Sequence, residues 1–121
     1  MIQAICHLLG DYVLQNNYLA TEKVKNTPNG YACCIIHVML YHMPILAFLH
    51  PSLTAYWVMM ATHFLIDKYR LAKYVTMVTN WRFNDHWGFP PTTAPYISVW
   101  ILFIVDNTLH VIINFLSLKF L

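Results

Sequence analysis

Tyr31–Leu49 reads YACCIIHVMLYHMPILAFL, a run with no formal charge. It approaches the roughly 20 apolar residues that a helix needs to span a bilayer. Leu53–Ile66 is likewise uncharged and can continue as a helix to about Tyr74, with its basic end among lipid headgroups. Tyr96–Leu118 holds one charged residue, Asp106. The segment before Tyr31 is weaker but helical in pattern over about Ile2–Thr21, and reads as a fourth span, short or tilted. The expected fold is therefore all-α: one polytopic membrane four-helix bundle over residues 1–121, with helices at about 2–21, 31–49, 53–74 and 96–118 and a loop at 80–95.

Composition agrees. The chain is 59% hydrophobic and 10% charged, where a soluble domain carries about 25% charged residues. So few charges cannot cover the surface of a soluble fold this small. The net charge of +2 and the lack of a basic arm argue against nucleic acid as a partner. Cys6, Cys33 and Cys34 cannot all pair within one chain and lack Cys-x-x-Cys spacing, so they read as small packing residues. The N-terminus has no basic stretch, and His7 and Asp11 interrupt its apolar run, so the chain's own helices are expected to direct insertion.

Breakers punctuate the connections. Asn26–Gly30 reads as a turn, and His50–Ser52 as a tight hairpin with Ser52 as N-cap. The 80–95 loop carries Gly88 and Pro90, Pro91 and Pro95, with Trp81, Trp87 and Phe89 as interfacial anchors. Lys23, Lys25, Lys68, Arg70, Lys73 and Arg82 fall at the first and third connections; only Lys119 lies elsewhere. Basic loops face the cytoplasm. The chain is thus expected in the cell inner membrane, multi-pass, with both termini outside the cytoplasm.

Three pairs share one spacing: His7 with Asp11, His63 with Asp67, and Asp106 with His110. Four residues apart on a helix means one face, one turn on. Counted from the cytoplasmic end of each span at about 1.5 Å per residue, these groups overlap in the middle of a core about 30 Å thick. His37 and His42 reach similar depths on the second span, and at most one can point squarely at the same place. A carboxylate at the bilayer centre costs about 2.5–3.5 kcal/mol even on insertion scales. No lysine or arginine falls at that depth, and a divalent cation neutralises carboxylates better than histidine hydrogen bonds do. Imidazole with carboxylate suits zinc first, with manganese and iron as alternatives. A metal-free polar network or a proton path is the competing reading. Gln15 continues the His7–Asp11 face one turn further, where it can support the cluster from behind, and Asn107 and Asn114 can hydrogen-bond across helices. Asp85 and His86 are expected to be solvent-exposed loop residues. Tyr41 is expected to pack or sit at the interface.

The segment His7-Leu8-Leu9-Gly10-Asp11-Tyr12-Val13-Leu14-Gln15 resembles the opening motif of a small bacterial and phage membrane family, the domain of unknown function 3307. That family's pattern continues with a lysine after the first span, matched by Lys23, and a histidine on the second, matched by His37. A His-Phe-Leu-Ile-Asp segment follows, here His63–Asp67, with a basic residue three positions on, here Arg70. Asp-Gln-x-x-His closes it, here Asp106 to His110, with Asn107 in place of glutamine and Arg70 in place of the usual lysine. The resemblance implies a membrane protein of bacterial or phage origin and groups the polar residues as one set. It implies little about activity.

Two functions are then expected to compete. In the first, His7, His37, His63, Asp67, Asp106 and His110 hold one or two divalent ions and Asp11 is the general base of a metal-dependent hydrolase. Lys23 and Arg70 hold an anionic headgroup or phosphate of an amphiphilic, lipid-derived substrate. No nucleophilic serine motif or phosphate-binding glycine loop supports other chemistry. In the second, the site is a structural metal or polar staple in a non-enzymatic protein. Its partners are then membrane lipids, a second copy or another membrane protein.

Overall fold

The computed structural model describes residues 1–83 and 86–121. Asp85, expected to be exposed, lies outside them; His86 is exposed. The described residues are all-helical, with no strand. Helix α1 (Ile2–Leu8) runs into a π-helical turn at Leu9–Val13, followed by α2 (Asn17–Glu22), α3 (Pro28–Leu49), α4 (Leu53–Tyr69), α5 (Ala72–Thr79) and α6 (Pro95–Phe120). α1 packs on α3, α3 on α4, α4 on α6, and α6 back on α1, closing a ring of four helices. α2 lies along α3 and α5 along α6.

Local chemistry sets the ends. Thr27 Oγ1 accepts from Gly30 N at 3.0 Å, with Pro28 in the first turn of α3, so that helix starts inside the expected turn. Ser52 Oγ caps α4 through Ala55 N at 3.0 Å, as its position predicts. Each such cap is worth about 1 kcal/mol.

Two of the expected helices are not continuous. The 2–21 helix breaks at Leu14–Asn16, because Asn16 Oδ1 takes the Leu19 N–H at 2.9 Å and starts a new helix. The 53–74 helix stops at Tyr69, because Arg70 adopts a left-handed conformation at φ 51° and ψ 54°. As a result, among the described residues two helices are long and apolar enough to cross a membrane. They are Pro28–Leu49, of mean hydropathy 1.9, and Pro95–Phe120, of mean hydropathy 1.8.

Burial is inverted relative to a soluble protein. His7, His37, His42, His63 and His110 are all buried, with Asp67, Lys68, Asn114 and Ser117. Large apolar side chains face outward instead, among them Ile35, Met39, Met43, Phe48, Trp57, Trp100 and Ile104. The apolar core proper is small: Cys6, Tyr41, Ile45, Ala55 and Met59. α1 and α3 cross closely at Gly10, where an added Cβ would lie 2.6 Å from Tyr41 Cδ2 and 2.9 Å from Tyr41 Cα. The helix ring therefore encloses polar groups at its middle.

Candidate metal centre

Each helix of the ring delivers side chains to one point. Asp11 comes from the π-turn, His37 from α3, His63 and Asp67 from successive turns of α4, and His110 from α6. The Nε2 atom of His37 lies 3.0 Å from Asp67 Oδ2, 3.3 Å from Asp11 Oδ1 and 3.1 Å from His63 Nε2. His63 Nε2 is 3.4 Å from Asp67 Oδ2, and His110 Nε2 is 3.3 Å from Asp67 Oδ1. Four ligands at about 2.0–2.1 Å from a zinc ion stand about 3.3 Å from one another. The separations of 3.0–3.4 Å lie near that edge, and the one from His63 Nε2 to Asp11 Oδ1 is longer, at 3.9 Å. Two overlapping trios could hold a metal ion: Asp11, His37 and His63, and His63, Asp67 and His110.

Hydrogen placement strengthens the fit. The carbonyl of Asp106 can only accept, so the contact at 2.9 Å from His110 Nδ1 assigns the proton to Nδ1. If the ring is neutral, it turns a bare Nε2 toward Asp67, and that nitrogen has no hydrogen-bond partner among the described residues. Metal-bound histidines typically hold their second nitrogen on a carbonyl in this way. The Nδ1 atoms of His37 and His63 are buried without partners. The His63 ring is held instead by edge contacts, with centroids 3.9 Å from Tyr41 and 4.2 Å from His110.

His7 is adjacent but differently engaged. Asn114 Nδ2 donates to Tyr41 Oη at 2.6 Å, which leaves the Tyr41 hydroxyl to donate to His7 Nδ1 at 2.8 Å. His7 Nε2 then donates to Asn107 Oδ1 at 2.8 Å, an oxygen that also accepts from Tyr12 Oη at 2.7 Å. Both His7 nitrogens are thus occupied, and its Nδ1 stands 3.4 Å from Asp11 Oδ2. Asn107 buttresses the cluster, as its position suggests. His42 turns aside, with Nδ1 donating to Val38 O at 2.7 Å, so His37 is the histidine of α3 that joins the cluster. Asp106 stays at the margin: its carboxylate is 3.7 Å from His110 Nδ1, its side chain is 35% exposed, and it belongs to neither trio. Gln15 Oε1 is buried with no hydrogen-bond partner, and no hydrogen bond ties Gln15 to the cluster.

Lys23 departs most from the expectation. The sequence places it in a connection, outside the reach of the carboxylates. Here α2 folds back along α3, and Lys23 Nζ reaches Asp67 Oδ2 at 2.6 Å, with its side chain 13% exposed. Lys68 fixes this arrangement: its buried ammonium donates to the carbonyls of Lys23 at 3.2 Å and Lys25 at 2.6 Å. Lys25 itself pairs with Glu22. Sequence reasoning missed the roles of Tyr41 and Lys68, while Asn114 makes the cross-helix hydrogen bond expected of it. Tyr41 lies four residues after His37, and Asn114 four after His110, the same spacing that marked the other pairs.

A cleft of about 300 Å³ opens beside the cluster. Asp67 and Asp106 line it with Lys23, Arg70 and Lys73, and Val99, Leu102 and Phe103 form an apolar wall. Trp87 from the long loop also lines it, beneath the Arg70 guanidinium at 4.9 Å. Trp87 thus brings one residue of the loop to the cleft, while Trp81 is 85% exposed.

Residues 1–119 match the model of the family described as protein of unknown function DUF3307. The chain belongs to that family. No curated protein and no solved structure matches it. In this DUF3307 chain, Asp11, Lys23, His37, His63, Asp67, Arg70, Asp106 and His110, among the residues that carry the family resemblance, meet at the cluster or line its cleft, whereas His7 and Gln15 belong to neither.

Proposed function

We propose that this chain is a multi-pass inner-membrane, metal-dependent hydrolase of phosphate esters carried by amphiphilic, lipid-derived substrates. The observation that supports this most is the position of the cluster. Three imidazole nitrogens and two carboxylates converge beside a cleft that the cluster meets at Asp67, with cations at one side of the cleft and apolar residues at the other. A polar centre enclosed by outward-facing apolar side chains suits a bilayer, where intramembrane ionisable groups mark functional sites. α1 through α2, α3, α4 with its extension into α5, and α6 then make four crossings. Both termini lie outside the cytoplasm, and the Lys23 and Arg70 end lies at the cytoplasmic face. A phage or bacterial origin accords with this architecture.

A divalent cation bound here, zinc before manganese or iron, supplies positive charge that polarises a phosphoryl oxygen. The chain's own groups do the rest. Arg70 and Lys73 hold the phosphate, and Val99, Leu102 and Phe103 receive the apolar chain. Asp11 Oδ1, 3.3 Å from His37 Nε2, is better placed as a ligand than as a base. Asp106 faces the cleft and is the better acceptor of a proton from attacking water. Water oxygen adds to phosphorus, the ester P–O bond breaks, and the proton is passed to the leaving alcohol oxygen. His7, Tyr41, Asn107 and Asn114 orient the floor without reacting.

The test is phosphate release from phosphatidic acid and from a chromogenic phosphomonoester by metal-loaded protein in nanodiscs. Release should disappear in His63→Ala and Asp106→Asn. Metal-loaded protein that cleaves neither would remove the enzymatic reading. A second reading draws on the Lys23–Asp67 pair: an ammonium in contact with the buried carboxylate already offsets one charge, as a metal-free polar staple requires. The chain would then act by binding lipids, a second copy or another membrane protein. Chelator that leaves the melting temperature unchanged, with no stoichiometric metal, favours that alternative.

A further inference from the structure

Asp67 Oδ2 is contested. Lys23 Nζ lies 2.6 Å from it, His37 Nε2 3.0 Å and His63 Nε2 3.4 Å. A cation held by His37 and His63 would use this same oxygen, and it repels the ammonium beside it. Lys23 has somewhere to go. Its side chain lines the cleft shared with Arg70 and Lys73, so a modest rotation exchanges the carboxylate for whatever occupies that cleft. Asp67 and Asp106 line the same cleft, so with Asp67 on the metal the three cations stand against one carboxylate; that net charge of +2 around about 300 Å³, with Arg70 stacked over Trp87, matches a phosphate dianion in charge and size.

Resting on the metal-site reading above, we infer that the cleft is a phosphate-anion site coupled to the metal site through Lys23. An anion in the cleft draws Lys23 away from Asp67 and frees Oδ2 for the metal. A metal on Oδ2 releases Lys23 to the anion. Each ligand therefore strengthens binding of the other by the same factor, as linkage demands. The phosphate can be free or the headgroup of a lipid.

The experiment measures manganese and zinc affinity of the full chain in nanodiscs at buffered free metal. One arm uses phosphatidylcholine alone, a second adds inorganic phosphate, and a third incorporates phosphatidic acid without free phosphate. At least one anion should tighten metal binding about fivefold or more, the lower end of ordinary coupling between sites. The arm with the larger effect identifies the source. Lys23→Met should bind metal more tightly than the parent without phosphate and lose the response to it. Should Lys23→Met fold poorly, the Arg70→Gln/Lys73→Gln pair, at the cleft rim, should abolish the response instead. Metal binding that ignores both anions overturns the coupling and leaves the metal site standing. A chain that takes up no metal overturns both.

Discussion

His110 Nε2 and Asp67 Oδ1 face each other across 3.3 Å, while the Nδ1–H of His110 is bonded to the carbonyl of Asp106. Two lone pairs at that distance need something positive between them. Either a second proton on the imidazole or a metal ion meets the need, whereas the His37 and His63 Nε2 atoms, 3.1 Å apart, are satisfied by the single Nε2 proton of one neutral ring or by a metal ion.

Removing Asp67 tests which it is. Asp67→Ala takes away the acceptor shared by Lys23, His37, His63 and His110. It leaves three buried imidazoles and the part-buried Lys23 ammonium without their shared carboxylate, so a loss of up to about 3–5 kcal/mol is expected, the range for broken buried pairs. Bound metal should fall with it. Metal analysis together with thermal unfolding in detergent checks both. Unchanged metal content in a folded Asp67→Ala protein would place the ion elsewhere.

The sequence made part of the candidate cluster legible because helical spacing and depth together place residues without any knowledge of packing, though His7 and Asp106, expected as ligands, fall outside both trios. His63, Asp67 and His110 follow from that arithmetic, and the family resemblance singles out His37. The breaks were not legible in the same way. Asn16 becomes a cap only because its side chain turns onto Leu19 N, and Arg70 ends α4 only by taking a left-handed conformation that few non-glycine residues adopt. Those two breaks are what carry Lys23 onto Asp67 and Arg70 onto Trp87. The charge census missed a lysine in the interior for that reason. Tyr41 was hidden differently: a tyrosine in an apolar run gives no sign whether its hydroxyl faces lipid headgroups or, as here, a buried histidine.

Tyr41→Phe isolates the buttress from the ligands. The change keeps the ring against His63 but orphans Asn114 Nδ2 and His7 Nδ1. Losing a buried partner costs about 1–3 kcal/mol. Stability should drop by about that amount while stoichiometric metal binding persists. Loss of metal without loss of stability in this variant would make the hydroxyl itself a ligand.

Gly10→Ala probes the helix crossing. The added methyl meets Tyr41 backbone at 2.9 Å, which no side-chain rotation relieves. α1 must move off α3, carrying Asp11 with it. Overpacking of this kind costs about 1–3 kcal/mol, and metal affinity should weaken in parallel. Retained affinity would mean that Asp11 contributes nothing to the ion.

Topology is checked by cysteine labelling. Cys6, Cys33 and Cys34 are 1%, 3% and 0% exposed, so the native thiols should stay silent. Asn29 and Thr54 are exposed near opposite ends of α3 and α4. An impermeant thiol reagent applied to intact cells should label Thr54→Cys and spare Asn29→Cys until the inner membrane is opened. The reverse pattern would put the Lys23, Arg70 and Lys73 end outside and deny the positive-inside assignment.

The division of labour between Asp11 and Asp106 gives the sharpest kinetic test. Asp11 Oδ1 stands among the candidate ligand nitrogens, whereas the Asp106 carboxylate lies at the cleft, 3.7 Å from Nδ1 on the far side of His110. Asp11→Asn should therefore lower metal occupancy, with activity partly restored by excess metal. Asp106→Asn should keep its metal, because its backbone carbonyl still orients His110, yet lose turnover by about 10²–10⁴-fold, the usual worth of a general base. Its KM should change little if Asp106 acts on water rather than on the phosphate. Paired measurement of metal content and phosphate release separates the two roles. An Asp106→Asn protein that keeps full turnover, beside an Asp11→Asn protein that keeps its metal and none of its activity, would return the base to Asp11.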